Sequence, residues 1–180
     1  MGATSAVAAP EARSHHDALV GVLRAAYSGE LAAAYAYRGH WRSLRRVSRA
    51  DQRHEIRRIE AAEWHHRGLV AEMLAELGSR PVRRRELVMG AVGRFFGFVC
   101  HVGGYFGPMY AAGRLEGANV AQYELAARHA AELHHDRYVD LLAAMVEEEA
   151  RHERFFGDCI RRHPLLPIAS LLLGWSPPAS

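Results

Sequence analysis

The pattern that constrains this chain most is a spacing that occurs twice. Glu30 stands 33 residues before Glu63, which opens the tetrapeptide Glu63-Trp64-His65-His66. Glu116 stands 33 residues before Glu149, which opens Glu149-Ala150-Arg151-His152. On a helix, residues i and i+3 share a face, so each tetrapeptide aims a carboxylate and an imidazole the same way. The midpoint of the first interval falls near Arg46-Val47 and that of the second near Glu132-Leu133, each just before an expected turn. Helices that fold back antiparallel there return each early glutamate to the height of its Glu-x-x-His partner. The local context repeats too: Tyr37 follows Glu30 by seven residues, and Tyr123 follows Glu116 by seven. The chain reads as a duplicated helix hairpin.

The rest of the sequence agrees with an all-α fold. Apolar residues recur at three- and four-residue spacing among Ala, Leu, Arg and Glu, which are helix formers. Ser14 is the expected N-cap of a first helix reaching about Val47. Ser48 or Asp51 caps a second, ending near Gly78. After the break at Ser79-Arg80-Pro81, a Gly-rich apolar stretch becomes a third helix, ending around Leu133. Asp136 caps a fourth, to about Arg162, stopped by Pro164 and Pro167. Four long helices joined in this way predict a four-helix bundle with a short apolar helix at the C-terminal end. The expected organisation is a disordered lead-in over 1–13, the bundle over 14–163 and an apolar tail over 164–180.

The duplication assembles six metal-ligating side chains: Glu30, Glu63, His66, Glu116, Glu149 and His152. Four carboxylates in one core repel one another, and burying them uncompensated is expensive. Two divalent cations cancel the four charges. A carboxylate-rich set with one imidazole per metal suits iron or manganese better than zinc. It resembles the ligand pattern of ferritin-like di-iron and di-manganese bundles. Tyr37, Tyr123 and Glu60 are candidates for supporting the ligands from behind. Glu124 misses the height of Glu149, and Glu147 and Glu148 point elsewhere around their helix. His40, His101 and His129 read as core or surface residues, and His65 and His135 as solvated.

Several function classes drop out. All 23 basic residues are Arg, so no Walker-A lysine, Schiff base or Ser-Lys dyad exists. Cys100 and Cys159 form no C-x-x-C motif. The arginines at 42, 45, 46, 49, 53, 57 and 58 span a helix end, a turn and a helix start. They lack a recognition element, so they read as a solvated face, not a nucleic-acid site; an anionic membrane surface is their alternative partner. The N-terminus lacks a signal-peptide pattern, which points to a cytoplasmic protein. Phe95 to Gly113 is a 19-residue run without formal charge. Arg94 and Arg114 flank it, and His101 and Pro108 interrupt it, so it reads as a buried or membrane-touching helix and not as a span. The glycines at 93, 97, 103 and 107 form small-xxx-small pairs suited to close helix packing.

Gly29-Glu30-Leu31 with Tyr37, Glu63-x-x-His66, Arg80-Pro81, the Gly-rich apolar helix, Glu116 with Tyr123, and Glu149-x-x-His152 together resemble the demethoxyubiquinone hydroxylases, di-iron monooxygenases of ubiquinone biosynthesis. The resemblance covers about residues 19–175. It implies an O2-dependent oxidoreductase with two iron ions, manganese being the alternative metal. The six ligands would be the catalytic set, with Glu63 and Glu149 bridging the metals. The implied substrate is a quinol ring or similar apolar molecule, reached through the apolar helix. The C-terminal tail has a counterpart that helps meet the membrane, implying peripheral contact at the inner face of the cell membrane. A homodimer is the expected assembly of a four-helix protein with apolar faces. Arg114-Leu115 before the third glutamate, and His101 and Tyr105 within the apolar helix, depart from the family. These departures keep a di-iron oxidase of another substrate in view, and the ligand set itself also suits a ferritin-like ferroxidase or iron-handling protein.

Overall fold

The computed structural model describes residues 5–179. Their regular structure is all helix, with no strand among the described residues. The helices are α1 (Ser5–Ser43), α2 (Ala50–Glu76), α3 (Arg83–Val102), α4 (Phe106–Glu132), α5 (Asp136–Ile160) and α6 (Leu166–Leu173), with one 3-10 turn, Val47–Arg49, leading into α2. α1 pairs with α2 and α4 with α5, and the two hairpins join chiefly along α1 and α4. This is the ferritin-like bundle that the duplicated spacing predicts, closed by the short apolar α6.

Two apolar clusters build the core. One centres on Leu19, Leu23, Val70, Met73, Leu142 and Met145. The other centres on Tyr37, Ile56, Ile59, Met109 and Phe156. The six predicted ligands are all buried alongside these clusters. Packed apolar side chains on the helices thus hold the carboxylates in fixed rotamers, away from bulk water.

The expected third helix is two helices. Gly103 caps α3 by donating its N–H to the Val99 carbonyl, and Gly104 follows with φ +69°. A left-handed residue reverses the chain without a Cβ clash, so the apolar run splits here. α3 therefore does not belong to the four-helix core, which is α1, α2, α4 and α5. It lies on the outside of α1. A Cβ on Gly93 would sit 2.3 Å from the Ala32 carbonyl oxygen, and one on Gly39 would sit 2.2 Å from that of Gly97. The small residues at 93 and 97 thus serve helix packing, with backbone against backbone. Among the described residues, no helix is long and apolar enough to cross a membrane.

The expected caps also change. α1 already runs at Ser5, so Ser14 is inside the helix; the Ala-rich segment ahead of it has high helix propensity. Residues 1–4 of the expected lead-in lie outside the described residues. Neither Ser48 nor Asp51 caps α2: the 3-10 turn puts Arg49 at that position, with no side-chain bond. Asp51 and Asp136 lie in the first turns of α2 and α5, where their charge still favours the helix dipole. His135 stands at the cap of α5. The tail docks on the bundle instead of forming a separate segment. The Trp175 indole packs over Gly113, and its N–H donates to Glu153 at 2.7 Å. The Tyr110 hydroxyl donates to the carbonyls of Ala169 and Trp175 at 3.1 and 2.9 Å.

Candidate metal centre

All six predicted ligands converge. Glu30, Glu63, His66 and Glu149 bring donor atoms within 4.8 Å of one another, and so do Glu63, Glu116, Glu149 and His152. Glu63 and Glu149 belong to both groups. The two quartets therefore interlock through the first residues of the two tetrapeptides, while each lone glutamate and each histidine serves one quartet. Each hairpin turn lies near the middle of its interval, which returns Glu30 on α1 and Glu116 on α4 to this level.

Burial is nearly complete. Glu63, Glu116 and Glu149 are fully enclosed, and Glu30, His66 and His152 nearly so. Burial pushes the Glu63 carboxyl well up, and repulsion from Glu30, Glu116 and Glu149 adds to it. Glu116 is raised strongly, again by burial and then by the charge of Glu149. Burial also raises Glu30. Burial works in the same direction on Glu149, but the adjoining Glu116 carboxyl and the His152 and His66 rings outweigh it and hold this carboxyl low. Burial disfavours charge on His66, yet Glu149 and its neighbours lift it to about 9. Without metal, burial and mutual repulsion thus favour the protonated form of Glu30, Glu63 and Glu116, while Glu149 favours its charged form.

The donor set fits a pair of cations. Glu30 Oε2, both oxygens of Glu63, Glu149 Oε1 and the Nδ1 atoms of His66 and His152 have no hydrogen-bond partner among the described residues. His66 Nδ1 lies 2.8 Å from Glu149 Oε1 but is misaligned for a hydrogen bond. His152 Nδ1 lies 3.7 Å from Glu149 and 3.9 Å from Glu63. Native proteins rarely leave buried lone pairs unsatisfied, and here they face one another across a common centre.

The supporting side chains cross between the hairpins. The Tyr37 hydroxyl, from the first, donates to Glu116 in the second; the Tyr123 hydroxyl, from the second, donates to Glu30 in the first. Burial raises both phenols well above their ordinary value, so they remain donors. Glu60 is not among the clustered donors. Its oxygens accept from Arg38 and Trp41, each at 2.7 Å. Glu124 is exposed, as its misaligned height implies, and so are His65 and His101.

Sequence reasoning missed two residues. Asn119 donates toward Glu116 and Glu149 at 3.3 and 3.5 Å. It lies three residues after Glu116, so helical spacing alone could have found it. Glu148 does point away from Glu149, and there it meets His66 Nε2 at 3.0 Å. That contact fixes the ring and turns Nδ1 toward the cluster. Only the packing of α2 on α5 makes it visible.

An apolar cavity of about 540 Å³ adjoins the cluster between α1, α3 and α4. Gly29, Ala33, Tyr37, Ala112 and Leu115 line its inner side, and Val92, Phe96 and Val99 of α3 its outer side. None of the six clustered Glu and His residues is on the wall; Tyr37, which is, connects the cavity to the cluster through its hydroxyl's bond to Glu116.

A profile of the family described as Ubiquinone biosynthesis protein COQ7 matches residues 17–118, more than half of the chain. The match includes Glu30, Glu63, His66 and Glu116 and ends before the second Glu-x-x-His. No curated protein and no solved structure matches.

Proposed function

The chain belongs to the COQ7 family of ubiquinone biosynthesis proteins, and from that premise we propose that it is a di-iron, O2-dependent hydroxylase of a quinol-like ring. The observation that carries this reading is the pair of interlocked, wholly buried quartets beside an apolar cavity. Glu63 and Glu149 would be shared between the metals. Glu30 and His66 would complete one site, and Glu116 and His152 the other. Two iron ions held there would supply dioxygen activation and the oxidising power to place one oxygen atom on an electron-rich ring.

The chain's own residues do the rest. Tyr37 and Tyr123 hold the terminal carboxylates by hydrogen bonds that span the hairpins. Glu148 keeps His66 in the tautomer with Nδ1 free. The apolar cavity takes a greasy substrate out of water and leaves its ring at the edge of the cluster. Exclusion of water also protects an oxidant from wasteful reduction. Iron storage needs the same ligands but no such cavity, so the hydroxylase reading is the better supported of the two.

The exposed apolar surface supports peripheral membrane contact. Phe95, Phe98 and Val102 of α3 and Leu171, Leu172 and Leu173 of α6 are all solvent-facing. A substrate with a long apolar tail is concentrated in lipid, and α3 separates this surface from the cavity.

The test is metal loading followed by turnover. Anaerobic ferrous loading should give about two irons per chain. Under 18O2 with a reductant and a short-tailed demethoxyquinol, the product should gain one labelled oxygen. Oxygen uptake without labelled product, or oxidation of iron into a mineral within a large cage, would overturn the proposal.

A further inference from the structure

The cavity wall is apolar apart from three side chains with polar heads: Tyr37, His40 and Cys100. The Tyr37 hydroxyl is committed to Glu116. A thiol is a weak hydrogen-bonding group. His40 differs from both. It is 2% exposed, and its Nε2 has no partner among the described residues. Its ring stacks on Phe156 with centroids 6.0 Å apart, which fixes its plane. Burial lowers its pKa to about 4, so the ring is neutral across the physiological range.

The bundle itself does not require this imidazole. The offset that carries Glu30 to Glu116 and Tyr37 to Tyr123 carries His40 to Ala126, which is fully buried in the second hairpin. A methyl group therefore suffices at the equivalent place. The cavity borders α1 and α4, and of these two helices only α1 presents a histidine to it. Leaving a buried ring nitrogen unpaired is costly, and a ligand that pairs it recovers that cost.

We propose that His40 is the hydrogen-bonding station of the cavity, which holds one ring oxygen of a quinone, quinol or phenol while the apolar wall takes the rest. This rests on the hydroxylase reading above and names a positioning residue within it. A neutral imidazole offers one N–H and one lone pair. It donates to a quinone carbonyl and accepts from a quinol hydroxyl, by choice of tautomer. One residue thus seats both redox forms of the ring without gaining or losing charge.

The experiment compares two probes on the full-length chain by calorimetry: geranylbenzoquinone, and geranylbenzene, which has the same tail and ring without oxygens. The wild-type chain should prefer the quinone by about tenfold, the scale of one recovered hydrogen bond. His40→Leu should erase that preference and leave geranylbenzene binding unchanged. His40→Gln, which keeps a donor and an acceptor, should restore most of it. Retention of the preference in folded His40→Leu overturns the proposal. Equal binding of both probes by the wild-type chain also overturns it, while the cavity reading stands. Binding of neither probe removes the cavity as a substrate site and this proposal with it. If His40→Leu does not fold, His40→Gln decides: a kept preference supports the station and a lost one overturns it.

Discussion

Glu30, Tyr37, Glu63 and His66 of the first hairpin recur at one constant offset as Glu116, Tyr123, Glu149 and His152 of the second. What stands behind these residues does not recur. His66 has Glu148 at its outer nitrogen, whereas the same offset puts Ala62 at the matching place behind His152. α1 is covered by α3 along Ala32, Tyr35 and Gly39; on α4, the counterpart of Gly39 is Leu125, which is exposed. The difference teaches which demands are symmetric. The charged set at the centre is doubled with the hairpin. Among the described residues the cavity occurs once, and so do the covering helix α3 and the histidine on the cavity wall.

The largest effect should come from breaking the shared carboxylates. Glu149→Ala or Glu63→Ala should remove metal from both quartets, whereas Glu30→Ala should leave about one ion per chain, read by elemental analysis. If Glu30→Ala and Glu149→Ala lose equal metal, the two quartets do not interlock as described. Because Glu63 is a buried and repelled carboxyl, Glu63→Ala should also raise the melting temperature of the metal-free protein by several degrees.

The second effect is in pH. Glu30, Glu63 and Glu116 are raised above the ordinary 4.5, and His66 is raised from 6.5 to about 9. A raised folded pKa means stability that is full below the unfolded value and lost as pH climbs through the folded one. For the three carboxyls the loss begins above 4.5, and for His66 it begins above 6.5 and runs through about 9. Glu149, held low, acts oppositely: its contribution is present above 4.5 and fades as pH falls through its folded value. The metal-free protein should therefore melt lower as pH rises from about 5 to about 9, with the metal-bound form nearly level. A metal-induced rise in melting temperature that shrinks over this range would contradict the raised values of Glu30, Glu63, Glu116 and His66.

The third test sets the tyrosines against each other. Tyr37→Phe and Tyr123→Phe should each weaken metal binding about tenfold, since each removes one hydrogen bond to a terminal carboxylate. Only Tyr37→Phe should also alter binding of an apolar probe, because only Tyr37 lines the cavity. The smallest effect sharpens the asymmetry at the histidines. Glu148→Gln should weaken metal binding by about tenfold at the low end of such supporting contacts. Ala62→Glu, which gives His152 the partner it lacks, should tighten binding by about twofold. Equal and opposite responses would mean that the two outer positions are equivalent; no response to Ala62→Glu would place another group behind His152.

Much of the centre was legible because it follows helical periodicity. Glu-x-x-His names a helix face by itself, and a 33-residue interval around a turn brings Glu30 to Glu63. Asn119 followed the same rule and was overlooked. Glu148 was not legible, because its partner lies on another helix and depends on how α2 and α5 rotate against each other. The uncharged run from Phe95 to Gly113 reads as part of one helix, whereas the structure divides it between α3 and α4. Its charge pattern is continuous across Gly103 and Gly104, and the break comes from backbone geometry that hydrophobicity does not encode.

The sequence by itself determined the all-helical class, the duplicated hairpin and the six Glu and His side chains that cluster, because these depend on spacing along single helices and on charge balance. Tertiary structure alone decided that α3 lies outside the bundle, that Tyr37 and Tyr123 exchange hairpins to reach Glu116 and Glu30, and that His40 lines a cavity. Those facts depend on which faces of separate helices meet. Backbone contact through Gly39, Gly93 and Gly97 selects one such meeting by excluding the closer packing of any larger residue.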